Sequence, residues 1–445
     1  MRRLDAFFAI TARGSTVPRE ILAGVTTFSA MSYILIVHPM IMAGAGLDRH
    51  AQTTITAWVA FAGTLLVALW PRMPLAVAPG MAANVLFAQV IVGQMSLSPA
   101  VGLAMLFISS SLFLLLAVSG LRQRLLLALP LAVRAGIQGG LGLLIAYIGL
   151  QNGGLVHATA SGLHVAPLVQ PAVIYTAVGL LVTAALFAAG TPGALLISIL
   201  VMTAGGLFVP LPGGGFVTHL PSRLLDWPGL PDAYFFAMDF HGYLANLPVV
   251  LPLTLYYFLS EFFAAAGTIV AVAGRPPLSM TPGVVTEGHR LFLCDAFSEL
   301  TSSVLGTSTA GVFLESSAGV ESGGRTGFAS VITAALFLLS LCLWPMLTAV
   351  PPQAIAPALV MIGLSMLRSL ADVDMQRAED WVPALLIILI MAVAGDFMVA
   401  LTAGCLSYTL IMFFSRRHRD MSPVILLLDV MLTVDLILKV RLIPG

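Results

Sequence analysis

The sequence predicts an all-α polytopic membrane protein, and three observations carry that prediction. Of its 445 residues 59% are apolar and only 9% charged, with a mean hydropathy of +1.01, whereas a water-soluble surface needs roughly 25% charged residues. The charges cluster in short segments between apolar stretches of about 20 residues, the length that spans the hydrocarbon of a bilayer. Those stretches fall into two sets of seven, on either side of a more polar stretch from 212 to 243. An ordinary soluble protein is excluded.

The first set covers 22–46, 52–70, 74–93, 99–118, 128–151, 171–190 and 193–211, and the second covers 244–273, 290–306, 309–321, 327–349, 352–370, 381–396 and 397–414. The third member of each set is a poor membrane helix for the same reason. From Pro74 through Pro79-Gly80 the chain is proline-broken and extended, becoming helical only on the way to Asn84. The run from Val304 through Gly306-Thr307-Ser308-Thr309 to Glu315 repeats that pattern. Short strands are therefore expected before two half-helices, and paired interrupted segments are the best sequence pointer to a transporter's midplane binding site.

Other landmarks recur at a similar offset, which points to an internal duplication. Pro130 precedes Gly142-Leu143 by 12 residues, and Pro351 precedes Gly363-Leu364 by 12. Asn84 and Glu315 are 231 residues apart, Pro130 and Pro351 221, and Thr26 and Glu261 235. Seven helices per copy invert the second repeat, and the arginines agree. With the N-terminus inside, the cytoplasmic segments hold 16 arginines, among them Arg13, Arg72, Arg134, Arg325 and Arg368, against Arg49 and Arg223 outside. The stretch from Met421 to Gly445 is apolar but interrupted by Asp429 and Asp435, and is expected at the membrane interface.

The ionisable inventory removes several function classes. Lys439 is the only lysine, so a Walker-type phosphate loop and Schiff-base chemistry have no candidate in the body of the chain. Gly323-Gly324-Arg325-Thr326-Gly327 reads as a tight cytoplasmic turn. Cys294, Cys342 and Cys405 lie far apart in apolar runs and read as packing residues, not metal ligands or a disulfide. With no His-Glu-x-x-His, paired aspartates or cysteine cluster, an intramembrane enzyme is disfavoured, and no metal or cofactor is expected. The N-terminal arginines leave no room for a cleaved signal, so the first helix is expected to direct its own insertion.

Carboxylates inside membrane helices are costly and usually have a purpose. Four stand out: Glu261, Asp295, Glu315 and Asp396. Ala264 and Ala265 leave space one turn beyond Glu261, and Glu315 lies close to the backbone amides freed around Ser308 to Gly311, with Asn84 in the matching place of the first repeat. A carboxylate accepts N–H bonds, an asparagine side chain both donates and accepts, and helix N-termini present N–H groups. A purine or pyrimidine ring offers the complementary mixture, whereas an inorganic anion would be repelled by the acids and would call for an arginine that the expected site lacks. A carboxyl group so placed can exchange protons and couple substrate movement to a proton gradient. Each residue also has a plainer reading: a polar network between helices for Glu261 and Glu315, a hydrogen-bond anchor for Asp295, a helix end near water for Asp396, a satisfied structural histidine for His38. Gly136, Gly139, Gly140 and Gly142 are read as sites of close helix packing.

The run Arg19-Glu20-Ile-Leu-Ala-Gly24-Val-Thr-Thr-Phe28, with Ala78-Pro79-Gly80-Met81-Ala-Ala-Asn84, Ile148-Gly149-Leu150-Gln151-Asn152, Gly306-Thr307-Ser308-Thr309, Glu315-Ser-Ser-Ala-Gly319-Val and Gly323-Gly324-Arg325-Thr326-Gly327, resembles the nucleobase-cation symporter-2 family. Among its branches the likeness is greatest to the adenine/guanine/hypoxanthine permeases (AzgA-like). The resemblance runs from about residue 14 to 414. It implies 14 transmembrane segments as two inverted repeats, divided into a core domain (1–118 and 244–349) and a gate domain (119–243 with its extracellular loop, and 350–415), followed by an apolar tail (416–445). By position it implies that Asn84, Glu261 and Glu315 belong to the substrate site and that Asp295 matches a ninth-segment aspartate. The sequence departs from the family where a second eighth-segment acid is replaced by Ala264, where the first is glutamate, and where Asn-Pro becomes His38-Pro39.

Together these readings describe a secondary active transporter that imports a purine base with a proton by an elevator-like movement. It would reside in the bacterial cytoplasmic membrane, with both termini inside. Asn84, Glu261, Glu315, Ser308 and Thr309 are the expected substrate-binding residues, with Phe87 or Phe262 stacking on the ring. Glu261, Glu315, Asp295 and His38 are the candidates for proton coupling. The expected partners are the nucleobase and the lipid bilayer, with no nucleic acid. Dimers that meet through the gate domain are common in this family, so a homodimer is implied as well. A xanthine or uracil carrier is the neighbouring alternative, and a sulfate-type anion carrier of the same architecture is a more distant one.

Overall fold

In the computed structural model, fourteen segments follow one another as the apolar pattern anticipates. The structure describes residues 2–119, 130–159, 162–167, 170–191, 193–211, 215–229, 232–273, 278, 287–394, 396–417 and 421–442. A short helix α1 (Arg2–Phe8) precedes a first span made of two helices, α2 (Val17–Met31) and α3 (Ile34–Ala43). The second span is α4 (Arg49–Leu69), whose first turn is capped by the Asp48 carboxylate accepting from the Ala51 amide at 2.7 Å. Strand β1 (Val77–Pro79) and helix α5 (Met81–Val85), which runs on as a π-helix over Leu86–Gln94, form the third. The first set ends with α6 (Pro99–Ser119), α7 (Leu131–Asn152), a hairpin of β2 (Val156–Thr159) and β3 (Gly162–Val165), α8 (Pro171–Ala188) and α9 (Ala194–Gly205).

The second set begins after a short helix α10 (Phe240–Ala245). It comprises α11 (Leu247–Ala273), α12 (Gly288–Val304), strand β4 (Ala310–Val312) with α13 (Ser316–Glu321), and α14 (Gly327–Ser340) continued by α15 (Trp344–Thr348). The last three spans are α16 (Pro352–Met366), α17 (Ala378–Ala394) and α18 (Phe397–Phe414). Nine helices among the described residues are long and apolar enough to cross a membrane. The others fall short because α9, α12 and α17 have 12, 17 and 17 residues and because the third and tenth spans begin as strands. Three features lay outside the sequence expectation: the break of the first span at Ser32-Tyr33, the π-helix, and the hairpin between α7 and α8. The tail expected at the interface is a 20-residue helix, α19 (Pro423–Leu442), which buries Ile425, Leu428 and Leu432 and packs on α18 and α11.

The two interrupted spans meet head-on. β1 and β4 pair antiparallel, with Val77 opposite Val312, Ala78 opposite Gly311 and Pro79 opposite Ala310. A two-stranded ribbon in a membrane interior leaves outward amides without water, and each must find a partner. The Val77 amide donates to Thr64 Oγ1 at 3.0 Å, the Ala310 amide to Ser302 Oγ at 3.1 Å and the Val312 amide to Asp295 Oδ1 at 2.6 Å. Pro79 has no amide to satisfy. Gly306 makes the turn into the second strand at φ +84, where a Cβ would lie 2.4 Å from the Tyr234 carbonyl oxygen.

The helices pack in two groups. α2 to α6 and α11 to α15 surround the ribbon, while α7, α8, α9, α16, α17 and α18 pack on one another beside it. In the second group the glycines permit backbone contact, as their sequence spacing anticipates. Pro130 and Pro351 cap α7 and α16, and twelve residues onward Gly142 and Gly363 face each other: a Cβ on Gly142 would lie 2.5 Å from the Gly363 carbonyl oxygen, and one on Gly363 2.3 Å from that of Gly142. At one end of the molecule Arg13 donates to the carbonyls of Arg72 and Arg325 at 2.9 and 3.3 Å. The fully buried Glu20 carboxylate accepts there from the Arg325, Thr326 and Ala329 amides and the Thr326 hydroxyl, which fastens the start of α14 to α2.

Gly363→Ala pushes a methyl group into two backbones that have no room to separate. It is expected to destabilise the protein by about 1–3 kcal/mol, read as a lowered thermal unfolding midpoint in detergent; an unchanged midpoint would show that α7 and α16 do not touch there.

Candidate functional site

The ribbon carries its polar side chains to the crossing point of the two interrupted spans. Asn84, in the half-helix that follows β1, is fully buried; its side-chain oxygen accepts from the Ser308 hydroxyl, and its amide nitrogen faces the Met81 sulfur at 3.6 Å. Thr309, next along, lies 3.0 Å from the Tyr257 hydroxyl and within hydrogen-bonding reach of the half-buried Glu261 carboxyl. Both aromatic hydroxyl and carboxyl come from α11, one turn apart. The sequence-predicted residues Asn84, Ser308, Thr309 and Glu261 are therefore gathered around one short loop. Glu315 is bonded to the first span: its Oε1 accepts from the hydroxyl of Tyr33, at the break in that span, at 2.9 Å.

His38 sits behind the same loop in a closed network. Its Nδ1 lies 2.6 Å from Thr56 Oγ1, and its Nε2 lies 3.1 Å from Thr307 Oγ1. Gln52 fixes the direction of the bonds: its amide nitrogen donates to the Gly306 carbonyl at 2.9 Å, so its oxygen faces Thr307, whose hydroxyl donates to it at 2.7 Å. Thr56 Oγ1 in turn donates to the Gln52 carbonyl at 2.5 Å, so each ring nitrogen faces a hydroxyl whose proton is already committed and whose oxygen is left to accept. Through this chain the turn at Gly306 is held in place.

Asp295 is the anchor of β4 through the Val312 amide, yet its Oδ2 has no hydrogen-bond partner. Four residues onward on the same face of α12 is Glu299, 1% exposed, with neither carboxyl oxygen hydrogen-bonded. The charges of both Glu261 and Asp295 act on it. The sequence reading passed over Glu299, although the spacing Asp-x-x-x-Glu in an apolar segment was the signal that pairs it with Asp295. Phe87 packs where Gly102 has no side chain, and Phe262 packs on Phe113 and Phe292 with ring centroids 5.9 and 6.2 Å away. Asp396 caps α18 by accepting from the Val399 amide at 3.0 Å.

A cavity of about 520 Å³ opens beside this cluster, between the two groups of helices. One wall is the four-residue stripe Tyr256, Ser260, Ala264 and Thr268 of α11; the facing wall includes Arg134 and Gln138 of α7 and Ser365, Arg368 and Asp372 at and beyond the end of α16. Its volume is that of a small-molecule site. Ser260 adjoins Glu261 in sequence and Leu314, also in the lining, adjoins Glu315, so the cavity reaches the neighbourhood of both acids. The expectation that the site is free of arginine holds for the loop but not for the cavity, where Arg134 and Arg368 lie; as sequence they had served only as markers of topology. Neither Phe87 nor Phe262 lines it. Among the described residues, no three His, Cys, Asp or Glu side chains are arranged to hold a metal ion.

Comparison with known proteins places the chain. The profile of the permease family that takes in the xanthine and uracil permeases matches residues 18–402. The chain is 31% identical to the putative permease MJ0326 of Methanocaldococcus jannaschii, over 97% of both sequences. It is 30% identical to the adenine permease AdeP of Escherichia coli, over 98% of this chain and 96% of that one. To the guanine/hypoxanthine permease PbuO of Bacillus subtilis it is 31% identical, over 96% and 99%. Among solved structures, the transmembrane domain of the cyanobacterial bicarbonate transporter BicA superposes with a TM-score of 0.61 at 15% identity, covering 89% of this chain and 96% of that one. SLC26A9 superposes with a TM-score of 0.64 at 11% identity, covering 93% and 69%. These structures share the fold.

The contacts of His38 are open to direct observation. Thr307→Val is expected to shift the His38 ring signals in nitrogen-15 NMR of histidine-labelled protein while costing roughly 1–3 kcal/mol of stability. Ring signals unchanged by Thr307→Val would show that Thr307 does not bond the histidine.

Proposed function

This chain belongs to the permease family, and from that premise we propose that it imports a purine nucleobase, of the hypoxanthine, guanine or adenine kind, together with a proton across the bacterial cytoplasmic membrane. The observation that carries the substrate class is the loop at the ribbon: Asn84, Ser308, Thr309 and Glu261 offer an amide, two hydroxyls and a carboxyl within one small region. A purine edge alternates N–H donors with nitrogen or oxygen acceptors, so it needs such a mixture. Adenine and guanine/hypoxanthine permeases that match nearly the whole chain support the same class. Glu261 accepts from a ring N–H, Asn84 and Thr309 read the adjoining edge, and Glu315, released from Tyr33, supplies a second acceptor. Phe87 and Phe262 are left out of the reading because their rings are committed to packing.

The helices around the ribbon form the core domain that carries the site, and the group of α7 to α9 and α16 to α18 forms the gate domain against which it moves. The movement is of the elevator type, since the site lies on one group and the cavity between the two. Substrate and proton pass together because a buried carboxyl near the loop changes charge as access alternates. His38, with both ring nitrogens engaged, positions the loop. The arginine-rich end at which Arg13 meets Arg72 and Arg325 is cytoplasmic, as are both termini, and the chain works as a homodimer through the gate domain.

Labelled hypoxanthine is the probe, supplied to bacteria that lack their own purine carriers. Uptake by the unaltered chain is expected to fall at least about tenfold in Glu315→Gln and in Glu261→Gln, a loss on the order of 1.4 kcal/mol or more, and to collapse with a protonophore. Excess unlabelled guanine or adenine is expected to compete. Competition by xanthine or uracil alone would move the reading to a neighbouring branch, and competition by sulfate, for which Arg134 and Arg368 would then be responsible, would replace it.

A further inference from the structure

We infer that Glu299 is the residue on which the coupled proton travels, in a site that it forms with Asp295 behind the substrate loop. The inference rests on the proposed purine carrier and assigns the coupling to a residue outside the substrate-binding set. α12 presents Asp295 and Glu299 on one face, four residues apart, both fully buried. Three of their four carboxyl oxygens have no hydrogen-bond partner; the fourth holds the Val312 amide of β4. A single unpaired polar atom in a protein interior is costly, and here three lie on one face of one helix.

The surroundings offer those oxygens no counter-charge. From α11, Tyr257 and Glu261 face the pair, and on α12 itself Cys294 neighbours Asp295. α6, which packs along α12, has no ionisable residue, and α4 has only Arg49 and His50 at its first turn, where Arg49 donates to the Val350 carbonyl and His50 stacks on Trp344. No basic side chain on these elements reaches the carboxyls. Three acids without a base cannot all be charged in an apolar interior. A proton relieves that charge directly: a carboxylate takes up H⁺ to become a neutral acid and returns it, with nothing oxidised or reduced.

The linkage to substrate follows from the same geometry. Glu261 faces the loop on one side and acts on Glu299 on the other. When a purine N–H pairs with Glu261 the negative charge is held there, and a second charge on Glu299 becomes less favourable, so binding substrate promotes binding of the proton. Departure of the base reverses both. Asp295, bonded to the strand, keeps the distance between the acids and the loop fixed.

The test uses purified full-length protein in liposomes. Exchange of labelled for unlabelled hypoxanthine at equal pH reads binding and movement of the site, whereas accumulation driven by an imposed pH gradient, with proton entry followed by a trapped dye, reads coupling. Glu299→Gln, which mimics the protonated acid, is expected to retain exchange within about threefold and to lose gradient-driven accumulation and proton entry at least about tenfold. Glu299→Asp is expected to recover part of both. Independently of any substrate, infrared difference spectra across an acid–base step are expected to show a protonated-carboxyl stretch that Glu299→Gln abolishes. Coupled accumulation by Glu299→Gln equal to that of the unaltered chain, an unchanged infrared band, or accumulation that follows sodium instead of pH would each overturn the inference. Loss of exchange in a variant that unfolds at the usual temperature would overturn it too, making Glu299 a structural residue. Absence of hypoxanthine exchange in the unaltered chain would instead strike the purine reading, and the infrared band alone would then decide the proton site.

Discussion

A strand that stops halfway across a bilayer has no water to satisfy its backbone, and the centre of this molecule is arranged around that constraint. β1 and β4 solve half of it by pairing with each other. The other half falls to side chains on the helices alongside, Thr64, Ser302 and Asp295, which receive the outward amides one by one. Those bonds fix the depth and tilt of both half-helices relative to α4 and α12. Whatever binds at Ser308 and Thr309 is thus held by groups whose positions are set from behind. The His38 chain extends the same logic to the turn at Gly306, where Gln52 bonds the Gly306 carbonyl and receives the Thr307 hydroxyl.

The duplication visible in the sequence explains how such a ribbon arises, and also why two groups of helices exist. A span that begins as a strand cannot pack as a full helix, so its neighbours in each repeat close around it, and the spans left over must find another surface. Gly142 and Gly363 show what they found: the repeat-related helices α7 and α16 meet each other backbone to backbone. Glycine contacts of this kind are close and smooth, and dispersion instead of polar bonding holds them. Between the groups lies the 520 Å³ cavity, walled on one side by the small residues Ser260 and Ala264.

Much of this was legible in the chain because it was written locally. Spans appear as apolar runs, and the strand-to-helix transitions appear as Pro79-Gly80 and Gly306 because those residues act on their own backbone. Asn84, Glu261, Asp295 and Glu315 announce themselves because polar groups in apolar segments are rare. The break at Ser32-Tyr33 had no such mark: neither proline nor glycine is present, and the cause is tertiary. The Tyr33 bond to Glu315 spans 282 positions, and the anchoring of Glu20 to the start of α14 spans more than 300. No local pattern encodes such pairings. Glu299 is buried by contacts of the same long-range kind, for α12 packs along α6 and against α11.

The two repeats share a backbone but not a chemistry, and the difference has a direction. Around β1 the partners are neutral: Thr64 takes the amide, Pro79 needs none, and Asn84, Gln52 and His38 complete the first-repeat contribution. Around β4 and its neighbours the acids gather, with Glu261, Asp295, Glu299 and Glu315 all in the second repeat. The Thr64 hydroxyl is engaged both ways, accepting from the Val77 amide and donating to the Val77 carbonyl, whereas a carboxyl that accepts from an amide still has an oxygen to spare. The Asp295 side chain therefore meets the structural demand of the ribbon and retains a site for chemistry, something Thr64 cannot do at the corresponding place. Symmetry supplies a scaffold in which two half-helices face each other, and the carboxyl that stands at Asp295 where the first repeat has the Thr64 hydroxyl makes the two sides of that scaffold chemically unequal.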